Sequence, residues 1–224
     1  NVDFEIETGV IHALMGANGA GKSTLMKVLA GSNPGYTGDV LYNGNPVELR
    51  NPAAAKKLGI QIVYQEVDMA LIPTLTVAEN VMFNDLVMNM GHKQFVNYGK
   101  IRKDAKEALA RLNVNIDVRR MCGTLTLAQK QMVLIARAVQ SACNFLILDE
   151  PTAPLSDTET EELFRVVRHL RKTENLAVIF ITHRIHEVLQ ICDSYTVMRN
   201  GEIVDTTPIT PKTTSKEIVD KMLG

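Results

Sequence analysis

The sequence predicts an α/β fold, a core built on a mainly parallel sheet with a helical subdomain inserted into it. Three observations carry this. Apolar runs of strand length, "VIHALM", "IQIVY", "FLILD" and "LAVIFIT", alternate with helical segments, as in chains of parallel β-α units. A glycine-rich turn separates the first run from the helix after it. Between about residues 81 and 141 the strand pattern stops, and nearly everything reads as helix. The expected organisation is one domain over 1–224, with an α/β core in 1–80 and 142–224 and a helical subdomain in 81–141.

Each element has its own local reason. "NVDFEIETGVIHALMG" begins inside an alternating pattern that reads as a strand pair. Helical "KSTLMKVLAG" stops at Gly31, a left-handed C′ residue. Asn43-Gly44 marks a hairpin turn between short strands. Asn51 as N-cap, Pro52 at the first helical position and Gly59 at the end frame a short helix. "IQIVYQ" (60–65) reads as a buried strand ending in Gln65. Thr76 with Glu79 has capping-box spacing, and "YGKIRKDAKEALARLNV" is amphipathic at helical period. A further helix starts from Thr126. Strand "FLILD" leads to a helix capped by Ser156 with Glu159. Strand "LAVIFIT" leads to His183 and the helix "RIHEVLQIC". "YTVMRNGEIVD" turns at Asn200-Gly201, and a last helix starts at Thr214 with Glu217.

Composition narrows the function classes. The 224 residues are 46% hydrophobic and carry a formal net charge of −1. That balance gives no nucleic-acid footprint, which shows as a strongly basic domain. Cys122, Cys143 and Cys192 are odd in number, widely spaced and form no CxxC pair, which fits a reducing cytosol rather than a disulfide scaffold or zinc site. No apolar run approaches the roughly 20 residues that span a bilayer.

"GANGAGKST" (16–24) fits G-x-x-x-x-G-K-[ST] directly after a strand and before a helix, the context this phosphate-binding motif requires. The backbone of Gly16, Asn18, Gly19, Ala20 and Gly21 curls around phosphate oxygens, and the helix N-terminus adds a positive dipole end. Lys22 is placed for the β- and γ-phosphates, Ser23 for Mg²⁺ and Thr24 for the α-phosphate. "FLILDEP" carries Asp149 to a strand end, where it can hold Mg²⁺. Glu150 beside it is either a base that polarises an attacking water or a solvated strand-end charge capping the turn at Pro151. Gln65 and His183 end two other apolar strands. Taken singly, a Gln at a strand end is usually a surface hydrogen-bonder and a lone His more often a structural residue. Two such residues beside a phosphate loop make chance a poor account. Thr126 and Gln129 form a capping box, and the same helix start also favours an anion.

"GANGAGKST", "VYQE", "LTLAQKQM", "LILDEPTAPLSD" and "ITHR" resemble, in order and spacing, the motifs of an ATP-binding cassette (ABC) ATPase. The resemblance covers essentially the whole chain. "LMGANGAGKSTLMKVLAG", "GIQIVYQE", "LTVAENV", "AQKQMVLIARAV" and "ITHRIHEVLQICD" look in particular like the first cassette of two-cassette ATPases that drive bacterial sugar importers of the ribose/galactose/xylose type. The resemblance implies ATP and Mg²⁺ as cofactors. It makes Gln65 the glutamine that touches Mg²⁺ and the attacking water, places Asp157 in the D-loop, and makes His183 the switch histidine. Residues 125–129 become the signature that closes over ATP bound to an opposite cassette, with contacts from Thr126, Ala128 and Gln129. The family pattern there is LSGGQ. In this chain Thr126 replaces Ser, and Leu127-Ala128 replace Gly-Gly.

The same resemblance implies the partners: a second cassette in the same full-length chain, transmembrane permease subunits, and indirectly a periplasmic or lipid-anchored sugar-binding protein. The family docks coupling helices of the permease on segment 66–80, although Met69, Leu71, Ile72 and Leu75 read equally as subdomain packing. The expected location is the cytoplasmic face of the bacterial membrane, as a peripheral protein. The chain reads as part of a longer one, with an adenine-stacking aromatic on a strand upstream of residue 1. The competing reading is a non-transport ABC clamp acting in translation or DNA repair. The near-neutral charge, the altered signature and the 104-position spacing from Lys22 to Thr126 weigh against it. A GTPase lacks support because no N-K-x-D motif is present.

Overall fold

The computed structural model describes residues 2–89 and 96–223. It divides into two compact units, one of residues 1–62, 143–150 and 171–224, the other of 63–142 and 151–170.

The first unit holds a six-stranded sheet. Its strands are β1 (Ile11–Met15), β4 (Ile60–Val63), β5 (Phe145–Asp149), β6 (Ala177–Ile181), β7 (Ser194–Arg199) and β8 (Glu202–Pro208). Their spatial order is β4-β5-β6-β1-β7-β8. β1 runs parallel to β6 and β7, β5 runs parallel to β6, and β8 closes the edge as an antiparallel hairpin with β7. β1 is central and wholly buried. Full burial of an Ile, Leu or Met side chain contributes about 1.5–3 kcal/mol each before entropy is counted. β1 therefore anchors whatever follows Met15.

Local chemistry explains the connections. α1 (Lys22–Leu29) ends at Gly31, whose φ of +69° sets a Cβ there 2.3 Å from the Asn51 carbonyl oxygen. β2 (Val40–Tyr42) and β3 (Asn45–Val47) form a separate hairpin with Asn43 and Gly44 both at positive φ, the type I′ turn. α2 (Pro52–Lys57) is capped by the Asn51 side chain, which accepts from the Ala54 N–H at 2.9 Å. α9 (Ile185–Ile191) follows β6, and α10 (Ser215–Leu223) begins where Thr214 and Glu217 exchange hydrogen bonds. The core joins Leu14, Met26, Ile147, Ile179 and Met198, with Phe4 and Ile6 half-buried against it.

The second unit is helical: α3 (Val67–Ala70), α4 (Val77–Val81), α5 (Phe83–Asn89), α6 (Tyr98–Arg111), α7 (Leu127–Gln140) and α8 (Asp157–Glu174) up to Leu170. α4, α6 and α7 pack on one another. Thr76 and Thr126 each close a full capping box, with Glu79 and Gln129 respectively. The Arg137 guanidinium donates to the Ala70 and Asn80 carbonyls and to Asn80 Oδ1, and lies over the Phe83 ring. One cation thus bonds three acceptors, of which Asn80 Oδ1 also accepts from the Ile72 N–H at 2.9 Å.

Three expectations need correction. The start of the chain is not a strand pair. Only Ile11–Met15 is a strand; residues 2–9 belong to no strand, Val10 adds one bond to the ladder by accepting from the Val178 N–H of β6, and the alternation half-buries Phe4 and Ile6 instead. The strand read as 60–65 stops at Val63, and Gln65 lies two residues beyond it in an exposed bend. His183 likewise lies two residues past Ile181. In both cases the chain turns away once its apolar side chains are buried.

His12, in the middle of β1, is 3% exposed. Its Nδ1 lies 2.7 Å from Ser194 Oγ and its Nε2 lies 2.8 Å from Thr196 Oγ1, so both nitrogens have hydroxyl partners that rotate to suit a neutral ring. Burial pushes its pKa down from 6.5 to about 4. The unfolded chain therefore binds the proton first as pH falls, and stability drops through the window from about 6.5 to about 4. Urea denaturation at pH 7 and pH 4.5 is expected to show a loss about 2–3 kcal/mol larger for the wild type than for His12→Leu. Equal losses in the two proteins would contradict this account of His12.

Candidate functional site

The phosphate loop takes its shape from the end of β1. After Met15 the chain cannot continue as a strand carrying a side chain, because a Cβ at Gly16 would lie 2.3 Å from the Met198 carbonyl oxygen. Gly16, Gly19 and Gly21 all have positive φ, which bends 16–21 into a loop that an L side chain at those positions would strain. Lys22 folds back over this loop and donates to the Gly16 carbonyl at 2.7 Å and the Ala17 carbonyl at 3.1 Å. α1 starts with Gly21 as its N-cap and no side-chain cap. Its first N–H groups are thus left to an external anion. Ser23 and Thr24 are exposed on that first turn, as are Asn18 and Gly19 on the loop, while Ala20 is buried beneath it.

β5 delivers Asp149 and Glu150 to the same sheet edge. Burial raises the Asp149 carboxyl above its ordinary value and the Glu150 charge raises it further, with Lys22 opposing. Burial lowers the Lys22 ammonium, with Glu150 and then Asp149 holding it up. Glu150 takes a left-handed backbone, φ +44°, rare for a residue with a side chain, and its N–H donates to the Ile181 carbonyl at 3.0 Å. Its Oε1 lies 3.3 Å from His183 Nδ1. The first unit therefore gathers residues 16–24, Asp149, Glu150 and His183, the candidates read from three separate segments.

The remaining candidates lie in the second unit. Gln65 is exposed. The Thr126 hydroxyl accepts from the Gln129 N–H at 3.2 Å, and Gln129 Oε1 accepts from the Thr126 N–H at 3.2 Å. Ala128 is buried and Leu127 is 39% exposed, so of the two side chains that replace glycines it is Leu127 that meets solvent. In segment 66–80, Leu71 is core while Met69 is 83% exposed.

Among the described residues no group of three or more His, Cys, Asp and Glu side chains is arranged to hold a metal alone. Mg²⁺ is typically bound through one or two carboxylates plus phosphate oxygens rather than an all-protein cage. A triphosphate at Lys22 would face the Asp149 and Glu150 carboxylates, and an accompanying divalent cation would offset that repulsion. The oxygen donors Ser23 and Asp149 fit such a cation.

Two supports for the site, one at the loop and one at His183, are not plainly readable from the sequence. The Gly201 N–H at the tip of the β7–β8 hairpin donates to the Ala20 carbonyl at 3.0 Å, and a Cβ at Gly21 would come within 3.3 Å of Gly201 Cα. Asn200-Gly201 signals a hairpin but not what its tip touches. Around His183, Thr182 and Arg184 are tied to Glu187, and only the spacing T-H-R-x-x-E hints at it.

The parallel sheet, the glycine loop between β1 and α1, and the carboxylates ending β5 define a P-loop NTPase fold. The family model described as "ABC transporter" matches residues 1–153, and the chain belongs to that family. It is 43% identical over 224 residues to the ribose import ATP-binding protein RbsA of Streptococcus agalactiae, and 41% identical over 223 residues to that of Geobacillus kaustophilus. Each match covers 100% of this chain and 44% of the relative, so the chain spans less than half the length of these curated relatives. Among solved structures it superposes on cbiO1 from Clostridium perfringens, part of the ABC transporter complex cbiONQ, with a TM-score of 0.80 and 28% identity, covering 97% of this chain and 84% of that one. The ATP-binding cassette MJ1267 of an ABC transporter shares the fold at a TM-score of 0.85 and 24% identity, covering 100% and 91%.

The strain and charge at Glu150 have a measurable consequence. A non-glycine residue in the left-handed region costs on the order of 1 kcal/mol, and Asn tolerates it better than Gln or Glu. Glu150→Gln removes the repulsion from Asp149 but keeps the strain, whereas Glu150→Asn relieves both. Urea denaturation is expected to rank the Glu150→Asn variant above the Glu150→Gln variant in stability by about 0.5–1 kcal/mol. Equal stability of the two variants would mean the turn holds no strain.

Proposed function

We propose that the chain is the nucleotide-binding part of an ATPase that powers import of a sugar or sugar-like solute through an ABC transporter. The observation that carries this is the convergence of the Lys22 loop, Asp149, Glu150 and His183 on one sheet edge, in a chain of the ABC transporter family that matches ribose import ATP-binding proteins along its whole length. The backbone of Gly16, Asn18, Gly19, Ala20 and Gly21, with Lys22 and Thr24, binds the phosphates. Ser23 and Asp149 would hold Mg²⁺. Mg²⁺ supplies neutralisation of charge on the β- and γ-phosphates.

Glu150 acts as the general base that polarises an attacking water, and His183, within reach of Glu150, orients that water and the γ-phosphate. Thr126, Gln129 and the backbone N–H of Ala128, at the start of α7, complete the site of a second cassette in the full-length protein. Leu127 limits how closely the phosphate approaches that helix end. The exposed Met69 fits a permease contact in segment 66–80. Among the described residues no helix is long and apolar enough to cross a membrane, which fits a peripheral subunit on the cytoplasmic face working with transmembrane permease subunits and, indirectly, a sugar-binding protein.

In the full-length protein Glu150→Gln is expected to retain ATP binding and to lose hydrolysis at the site using this phosphate loop by roughly 10²–10⁴, the usual cost of removing a positioned base. Cells carrying that variant should fail to take up the sugar that the intact operon imports. Normal phosphate release at this site, or uptake that does not depend on the protein, would overturn the assignment.

A further inference from the structure

We propose that Glu187 is a positioning residue for His183, holding the turn between β6 and α9 so that the imidazole meets Glu150. Glu187 lies in the first turn of α9, and its side chain is fully buried. A carboxylate taken out of water needs charged or hydrogen-bonding partners, and its partners identify what it does. Its Oε2 accepts from the Thr182 hydroxyl at 2.7 Å, and its Oε1 accepts from the Arg184 guanidinium at 3.2 Å. Thr182 and Arg184 are the two neighbours of His183 in the chain. The Arg184 N–H also donates to Thr182 Oγ1 at 3.0 Å, and the Glu187 N–H donates to the Arg184 carbonyl at 3.1 Å.

The result is a closed ring around one residue. Thr182, Arg184 and Glu187 are bound to one another, while His183, which they bracket, projects with 61% of its side chain exposed and its Nδ1 3.3 Å from Glu150 Oε1. An exposed imidazole has no packing of its own to fix its direction, so the direction comes from the backbone on either side. Helix capping does not account for the arrangement. Arg184 is the N-cap of α9 and makes no side-chain cap, and the Glu187 carboxylate reaches past it to the residue before His183. The length of the side chain matters, because an Asp at 187 is one methylene too short to hold both flanks. Gln at 187 keeps the length but is neutral: its NH₂ can still meet the Thr182 hydroxyl, while the buried ion pair to Arg184 falls to a neutral hydrogen bond and that flank is loosened.

This inference rests on the proposed role of His183, and the experiment separates the two. In the full-length protein, Glu187→Gln is expected to lower kcat for ATP hydrolysis by about tenfold to a hundredfold with KM for ATP nearly unchanged, the cost of displacing a reacting group by about 1 Å. Imidazole ¹⁵N and ¹H resonances give a readout independent of activity, with His183 assigned by its disappearance in His183→Ala. Glu187→Gln should shift the His183 signals and leave those of His12, in the buried β1 network, in place. Thr182→Val, which breaks the ring from its other side at constant volume, should shift the same signals and decides the matter if Glu187→Gln does not fold. Unmoved His183 signals in a folded variant, or His12 signals that move with them, would overturn the positioning role. Full hydrolysis by His183→Ala would instead remove the function proposed for His183 and leave the resonance test of Glu187 standing.

Discussion

Gly16 stands where the buried strand β1 meets the backbone of β7, and the space there does not admit a methyl group. A Cβ would lie 2.3 Å from the Met198 carbonyl oxygen, far inside van der Waals contact. The chain must therefore leave the sheet at this point through a residue without a side chain, and it does so into the loop that Lys22 closes. What the first unit gathers at the candidate site follows from that exit. β1 is held between β6 and β7, so the loop it launches stands beside the ends of β5 and β6 that carry Asp149, Glu150 and the turn to His183. The central place of β1 in the sheet is thus what turns three distant segments into one site.

The charges at this edge are balanced against one another. Lys22 is half-buried and would lose its proton more readily than an exposed lysine, but Glu150 and Asp149 hold the charge on it. Its ammonium is occupied by the carbonyls of Gly16 and Ala17. Phosphate oxygens are stronger acceptors than neutral carbonyls, so they can displace those two bonds without leaving the amine unsatisfied. The β7–β8 hairpin tip holds the floor of the loop through Gly201 and Ala20. The loop is preformed by neutral backbone contacts, and its one cation can change partners.

Much of this was legible in the sequence, for a physical reason that also marks the limit. Caps, turns and periodicity are local. Asn51, the Thr76–Glu79 and Thr126–Gln129 boxes and the paired Asn-Gly turns are satisfied within a few residues, so their spacing suffices to read them. The phosphate loop is equally local, with its glycines, lysine and helix start in nine consecutive positions. Apolar runs read two residues too long as strands at Gln65 and His183, because where burial stops depends on neighbours rather than on the strand itself. The alternation of residues 2–10 is real but serves packing: Phe4 sets its ring edge-to-face on His12 at 5.4 Å and joins no ladder. The His12 hydroxyl pair and the Gly201 support join residues about 180 positions apart, and no spacing rule reaches that far.

The central claim is that residues 16–24 grip a nucleotide through its phosphates, with Lys22 as the loop's single cation. Isothermal titration of the full-length protein with Mg-ATP, wild type against Lys22→Ala, tests this most directly, with circular dichroism to establish that the variant is folded. The account predicts that the folded variant binds one nucleotide fewer per chain than the wild type. A folded Lys22→Ala protein with unchanged stoichiometry and affinity would contradict it.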